Sequence, residues 1–311
     1  MKDLKVVFMG TPEFCVPVLE YLIDNCNVIG VVTQPDKEVG RKHIITYSPV
    51  KKKALEHNIK VIQPNKIRNE YEDIISLNPD IIVTCAYGQI IPSIILDAPR
   101  LGCINVHASL LPELRGGAPI HKAIIYGYKK TGITIMYMDK GMDTGDMISK
   151  EEVEISNLDT AATLHDKLMK TSVKLLEKTL PSIVNGTNKR EKQDDSKATY
   201  AYNVSREEEH INFNNKAFDI YNQIRGLNSW PGAYSNLEDK QVKIWSSTIC
   251  EKKFNSEPGT IEDIDKNGML ISTKDKSILI TEIQMPGKKK TKVKDFINGI
   301  KKEDYIGKCF N

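Results

Sequence analysis

The chain is 311 residues long, 40% hydrophobic and 27% charged, with a net charge of +3. That length suffices for two domains and the composition is ordinary for a soluble globular protein, while so mild a charge leaves nucleic-acid binding to a local patch. Six cysteines are scattered with no CxxC pair, which reads as reduced, buried thiols and excludes a disulfide framework. No apolar run is long enough to span a membrane. The opening "MKDLKVVFMG" runs straight into a strand pattern, leaving no room for a signal peptide. A cytoplasmic protein is expected.

Strand-like and helix-like segments then alternate. "LKVVFMG" reads as a buried strand and "TPEFCVPVLEYLIDN" as a helix, with Thr11 the candidate N-cap and Pro12 in the first turn. Next come "NVIGVVTQ" (strand), "SPVKKKALEHN" (helix), "IKVIQ" (strand), "NEYEDIISLN" (helix) and "PDIIVTCAYG" (strand). "GCINVHA" adds a strand and "APIHKAIIYG" a helix. The strands are nearly all apolar, as expected where both faces are covered. The pattern predicts a Rossmann-like, doubly wound, mostly parallel α/β sheet, whose ligands sit beyond the carboxyl ends of the strands. "TGITIMYMDKGMDTGDMISKEEVEI" predicts two strands around a glycine-containing loop, and "LDTAATLHDKLMKTSVKLLEKTLPSIVNG" a long amphipathic helix. "NGTNKREKQDDSKATY" is polar enough to be a linker. After a helix over "FNNKAFDIYNQIRGL", the short runs "QVKIWSSTI", "GTIEDID", "GMLISTK" and "SILITEIQM" suggest a small antiparallel barrel.

The first strand is followed by "GTPEF", which lacks the glycines of a dinucleotide fingerprint, and no phosphate-binding G-x-x-x-x-G-K-[ST] occurs. A Ser109–His107 hydrolase lacks its G-x-S-x-G elbow, and Ser109 reads better as a turn residue. The histidines are dispersed with no ligand spacing, so no metal is expected. What remains is Asn105 and His107 at a strand end, with an acid from "MDKGMDTGD". Asn offers amide donors to an oxyanion, His shuttles a proton near neutral pH, and an Asp orients an imidazole. Together they suit acyl transfer to an amine, although a satisfied core Asn and His is the bland alternative.

"INVHASLLPELRGGAPIHKAI", with "MDKGMDTGDM" downstream, resembles the signature of the folate-dependent formyltransferases. The resemblance implies catalytic roles for Asn105, His107 and Asp143, a folate-lining role for Ser109, Leu110, Leu111 and Pro112, and 10-formyltetrahydrofolate as formyl-donor co-substrate. "VVFMGTPEFCVPVLEYL", the inserted loop "VVTQPDKEVGRKHIITYSPVKKKA" and "YNQIRGLNSWPGAYS" are similar to the branch of that superfamily that formylates the α-amino group of methionine on initiator methionyl-tRNA for translation initiation. This implies a catalytic domain over 1–186, a linker over 187–204 and an OB-like tRNA-binding domain over 205–311. From Pro286 to Asn311 there are eight Lys against three acids. Lys288, Lys289 and Lys290 on such a barrel make a plausible phosphate-contact patch. The resemblance places the family's loop Gly-Arg at Gly40-Arg41, so Arg41 and Lys42 are expected to touch the RNA. A monomer is expected. The alternative is a related N-formyltransferase acting on a sugar-nucleotide or glycinamide ribonucleotide amine, which the loop and the basic second domain argue against. A folate- or RNA-binding protein without catalysis is the reading from another class.

Overall fold

Consecutive apolar residues, not alternating ones, build the first sheet: Val6, Val7, Phe8 and Met9 are all fully buried, as are Ile81, Ile82 and Val83, because helices cover both faces. The computed structural model describes residues 1–39 and 44–311. They form two compact units, Met1–Pro119 with Lys130–Glu154 and His165–Tyr202, and Ile120–Lys129 with Ile155–Leu164 and Asn203–Asn311.

In chain order the elements up to the long helix are β1 (Lys5–Gly10), α1 (Val16–Asn25), β2 (Asn27–Val32), β3 (Lys37–Val39), β4 (Ile44–Thr46), α2 (Pro49–Glu56) and β5 (Val61–Ile62). They continue with α3 (Glu72–Ile75), β6 (Ile81–Cys85), α4 (Ser93–Leu96), β7 (Cys103–His107), α5 (Pro119–Ile125), β8 (Lys130–Tyr137), β9 (Met147–Glu154) and α6 (Ala161–Val184). The sheet order is β5-β2-β1-β6-β7-β8-β9. Pairings from β5 to β7 are parallel, and β8 and β9 are added antiparallel. This is the expected mostly parallel, doubly wound sheet. The winding reverses between β1 and β6, and in sheets of this kind ligands bind outside the carboxyl ends of the strands at such a reversal.

Local chemistry sets several boundaries. Ser48 caps α2 by accepting from Lys51 N at 3.0 Å, with Pro49 in its first turn. The first helix starts later than its sequence suggests. Glu13–Cys15 form a 3-10 turn, α1 begins at Val16, and Thr11 is not its cap. The Thr11 hydroxyl instead donates to Tyr87 O at 3.1 Å, linking the ends of β1 and β6. The inserted loop carries a hairpin of its own, with Lys37 opposite Thr46 and Val39 opposite Ile44. The expected RNA contacts Arg41 and Lys42 lie outside the described residues.

Asp80 ties β1, β6 and the approach to β7 together. Its carboxylate accepts from Lys5 N at 2.9 Å and from Arg100 Nε at 2.7 Å. The backbone donor of Lys5, followed by Arg100, holds this carboxyl below its usual range. A folded-state value below the unfolded one, near 3.9, stabilises the fold above that pH and stops doing so as the pH falls through the folded value. Asp80→Asn is therefore expected to cost about 0.5–1.5 kcal/mol at pH 7 and progressively less in acid, as the pH falls through the folded-state value. Urea midpoints at neutral and acid pH measure the gap, and a gap that persists in acid contradicts the assignment.

The second unit contains α7 (Ala217–Gly226), β10 (Ala233–Leu237), β11 (Lys240–Cys250), β12 (Ile261–Asp265), β13 (Gly268–Ser272), β14 (Ser277–Gln284), β15 (Thr291–Lys292) and α8 (Val293–Phe296). Its sheet runs β10-β11-β14-β13-β12, with β15 beside β14. Bridges from Leu237 to Phe310 and from Thr260 to Cys309 join the two outer strands through the last residues of the chain, which makes the expected small barrel. Ile220, Ile224, Ile244, Ile271, Ile278 and Ile280 share its core.

Candidate active site

β7 ends at the carboxyl edge of the sheet, and its register fixes which of its side chains meet there. Asn105 pairs with Thr84 of β6 and Met136 of β8, and His107 with Thr134. Two residues apart on a strand, Asn105 and His107 share a face. Asp143 arrives from the loop between β8 and β9, with a left-handed backbone of φ +56°, a conformation that Asp tolerates better than most side chains.

The three side chains converge. Asn105 Nδ2 donates to Asp143 Oδ1 at 3.4 Å, and His107 Nδ1 lies 3.7 Å from Asp143 Oδ2. The Thr84 hydroxyl donates to Asn105 Oδ1 at 2.9 Å. A carboxylate only accepts, so these two contacts fix the amide with its nitrogen toward Asp143. Among the described residues Nδ2 makes only the long bond to Asp143, which leaves an N–H for a ligand oxygen. His107 Nε2 is 3.1 Å from Leu114 O. A carbonyl accepts, so that nitrogen carries a hydrogen, and Nδ1 is the position that faces the carboxylate.

Asp143 is held from below by backbone. Gly116 N donates to its Oδ2 at 2.8 Å. Gly116 has φ +116°, and a Cβ there would sit 2.9 Å from Ala201 O, so only glycine makes this turn. A second prop reaches Asp143 from far along the chain. Gln193 Nε2 donates to Asp143 O and to Gly145 O, each at 2.8 Å. Its Oε1 accepts from Arg115 Nε at 3.1 Å and Nη2 at 2.8 Å. Arg115 is 2% exposed and also donates to Asp195 Oδ1 at 2.7 Å. Backbone continues the brace, with Arg115 N donating to Thr199 O and Ala201 N to Arg115 O. The polar stretch that reads as a linker therefore holds the loop that carries Asp143. Nothing in the sequence marks Gln193 or Arg115 for this task, since the contact spans about eighty residues.

The segment from Ser109 to Pro112 divides by burial. Ser109 is fully buried and its hydroxyl donates to Glu113 O at 2.6 Å, which is the turn role expected of it. Leu111 is buried in a cluster with Met136 and Met147. Leu110 and Pro112 are half-exposed and present the segment's accessible apolar surface. Nearby thiols are silent. Burial pushes Cys103 up to about 12, and the hydrogen bond from Cys15, followed by burial, raises Cys85 well above the ordinary thiol value, so neither is a nucleophile near neutral pH. In the second unit Lys288, Lys289 and Lys290 are exposed. Lys290 pairs with Glu282 at 2.9 Å and stands 5.0 Å from the Trp245 ring centroid. Among the described residues no group of His, Cys, Asp and Glu is gathered around a metal position, and no helix is long and apolar enough to cross a membrane.

Residues 4–180 match the formyl transferase family model and residues 203–301 that of the formyl transferase C-terminal domain. The chain is 52% identical over 299 residues to a methionyl-tRNA formyltransferase of Bacillus subtilis (strain 168), covering 95% of this chain and 94% of that protein. The chain belongs to the methionyl-tRNA formyltransferase family. Among solved structures, WlaRD, a sugar 3N-formyl transferase crystallised with dTDP and 5-N-formyl-THF, superimposes with a TM-score of 0.68 at 23% identity over 93% of this chain and all of that one. A methionyl-tRNA formyltransferase from Clostridium thermocellum gives 0.56 at 20% identity, over 80% of this chain and 95% of that one. These two structures share the fold. Gln193 and Asp195 fall between the two matched family models, so this formyltransferase braces its Asp143 loop from a stretch neither model covers.

Proposed function

We propose that Asn105, His107 and Asp143 carry out the reaction of this family: transfer of the formyl group of 10-formyltetrahydrofolate to the α-amino group of methionine on initiator methionyl-tRNA. The observation that carries the site assignment is the convergence of the Asn105 amide, the His107 ring and the Asp143 carboxylate at one strand end. The amine nitrogen attacks the formyl carbon, and negative charge develops on the formyl oxygen. Asn105 Nδ2, whose amide Thr84 holds in place, donates to that oxygen. A proton on His107 Nδ1, between ring and carboxylate, adds positive charge beside it. Asp143 accepts the amine's proton through a water, the carbon–nitrogen bond to folate breaks, and the departing folate nitrogen takes up that proton, returned from Asp143 through the water. Leu110 and Pro112 supply apolar contact to the donor, beside the buried Ser109 and Leu111.

The domain division proposed is 1–186 for catalysis, 187–204 between, and 205–311 for tRNA. A substrate drawn from translation supports a cytoplasmic enzyme, and we propose that it acts as a monomer. The deciding assay is formylation of methionyl initiator tRNA against methionyl elongator tRNA, with and without the formyl-folate. Product with neither tRNA, but with a sugar-nucleotide amine, favours the other branch.

Arg41, Lys42 and the exposed Lys288, Lys289 and Lys290 are proposed RNA contacts. Each lysine that neutralises a phosphate contributes roughly 0.7–0.9 to the slope of log affinity against log salt. Lys288→Ala with Lys289→Ala is expected to weaken tRNA binding and lower that slope by about 1.5, leaving folate binding unchanged. Titrations at several salt concentrations read this directly, and a wild-type slope removes the patch from the interface.

A further inference from the structure

Tyr200 and Tyr202 are not used by the site described above. Their rings are stacked, 5.6 Å between centroids and 5° from parallel, yet they are 44% and 60% exposed. The reason for this exposure is local. Ala201, fully buried, is clamped from both sides: its N–H donates to Arg115 O at 2.7 Å and its carbonyl accepts from Ala118 N at 2.9 Å. On an extended segment alternate residues face opposite ways, so pinning Ala201 inward turns both tyrosines outward. The clamp is built on the residues flanking Gly116, whose N–H holds Asp143. A rigid aromatic face therefore stands at the brace of the reaction centre and packs no core.

We propose that Tyr200 and Tyr202 form a platform on which an unpaired 3′ nucleobase of the tRNA stacks while its aminoacyl end reaches Asp143. This rests on the tRNA reading of the substrate. The amine to be formylated hangs from a single-stranded polymer end, so flexible bases must lie beside the site, and aromatic side chains are the usual partners of splayed-out bases. A pre-stacked pair on a hydrogen-bonded segment loses little side-chain freedom on binding. Stacking accepts any base, since each has a π-face, so the platform adds affinity and placement without reading sequence.

The test uses the full chain with paired substitutions Tyr200→Leu/Tyr202→Leu and Tyr200→Phe/Tyr202→Phe, and uncharged initiator tRNA either intact or trimmed of its single-stranded 3′ nucleotides. The Leu pair is expected to raise Kd for intact tRNA about fivefold or more, with Kd for trimmed tRNA and for the folate unchanged, and the Phe pair to behave as wild type. In formylation assays the Leu pair raises KM for methionyl-tRNA and keeps kcat near wild type. Should the Leu pair fail to fold, Tyr202→Leu alone carries the same comparison. Wild-type affinity in the Leu variant, or an equal loss on intact and trimmed tRNA, overturns the platform. Absence of formylation by the wild-type enzyme instead overturns the function on which it rests.

Discussion

Asn105→Ala is expected to slow single-turnover formyl transfer by about 10²–10³-fold, while the Kd for folate changes little. The side chain is small, half-buried and fixed by the Thr84 hydroxyl at 2.9 Å, so its removal leaves the backbone of β7 in register. What is lost is the donor proposed to face the charge that grows during reaction. Such a donor acts in a site shielded from water and needs no reorganisation at the moment of attack, which is why one hydrogen bond outweighs its ground-state strength. Rapid-quench measurement at saturating substrates isolates the chemical step. A rate within threefold of wild type would remove Asn105 from the oxyanion position.

Asp143→Asn is expected to do more, on the order of a thousandfold. The substitution keeps an oxygen for Gly116 N–H, bonded at 2.8 Å, and so keeps the loop. It abolishes the negative charge 3.7 Å from His107 Nδ1 and, with it, the proposed acceptor for the amine's proton. Because the backbone carbonyl of residue 143 still receives Gln193 Nε2, thermal stability should stay close to wild type, which separates chemistry from folding. Rate and Tm measured on the same sample test both halves. A variant that loses its rate only together with its fold makes Asp143 a structural residue.

Much of this architecture is legible in the residues. Uninterrupted apolar strands announce the covered parallel sheet, and the pair Asn105 and His107 stands out as polar residues where one such strand ends. Asp143 was nameable only by family resemblance, since "MDKGMDTGD" contains Asp139 and Asp146 as well and nothing local separates them. The first helix starts later than its sequence suggests because Thr11 and Pro12 make a good start signal, whereas the Thr11 hydroxyl is claimed by Tyr87 across the sheet. The hairpin β3–β4 is not legible in the sequence because three-residue strands with exposed Ile44 and Ile45 show no burial pattern. Gln193 was hidden for a related reason: polarity reports that a stretch is solvated or bonded, and sequence does not distinguish the two.

That last residue constrains how this protein can change over time. A free tether tolerates insertions at small entropic cost, but here one residue gained or lost between Glu191 and Ala201 would move a carboxamide out of step with the two carbonyls it grips. Descendants of this chain can drift in the charges they carry along that stretch, the Asp195 that pairs with buried Arg115 excepted, while its count of residues stays frozen by the spacing of a distant loop.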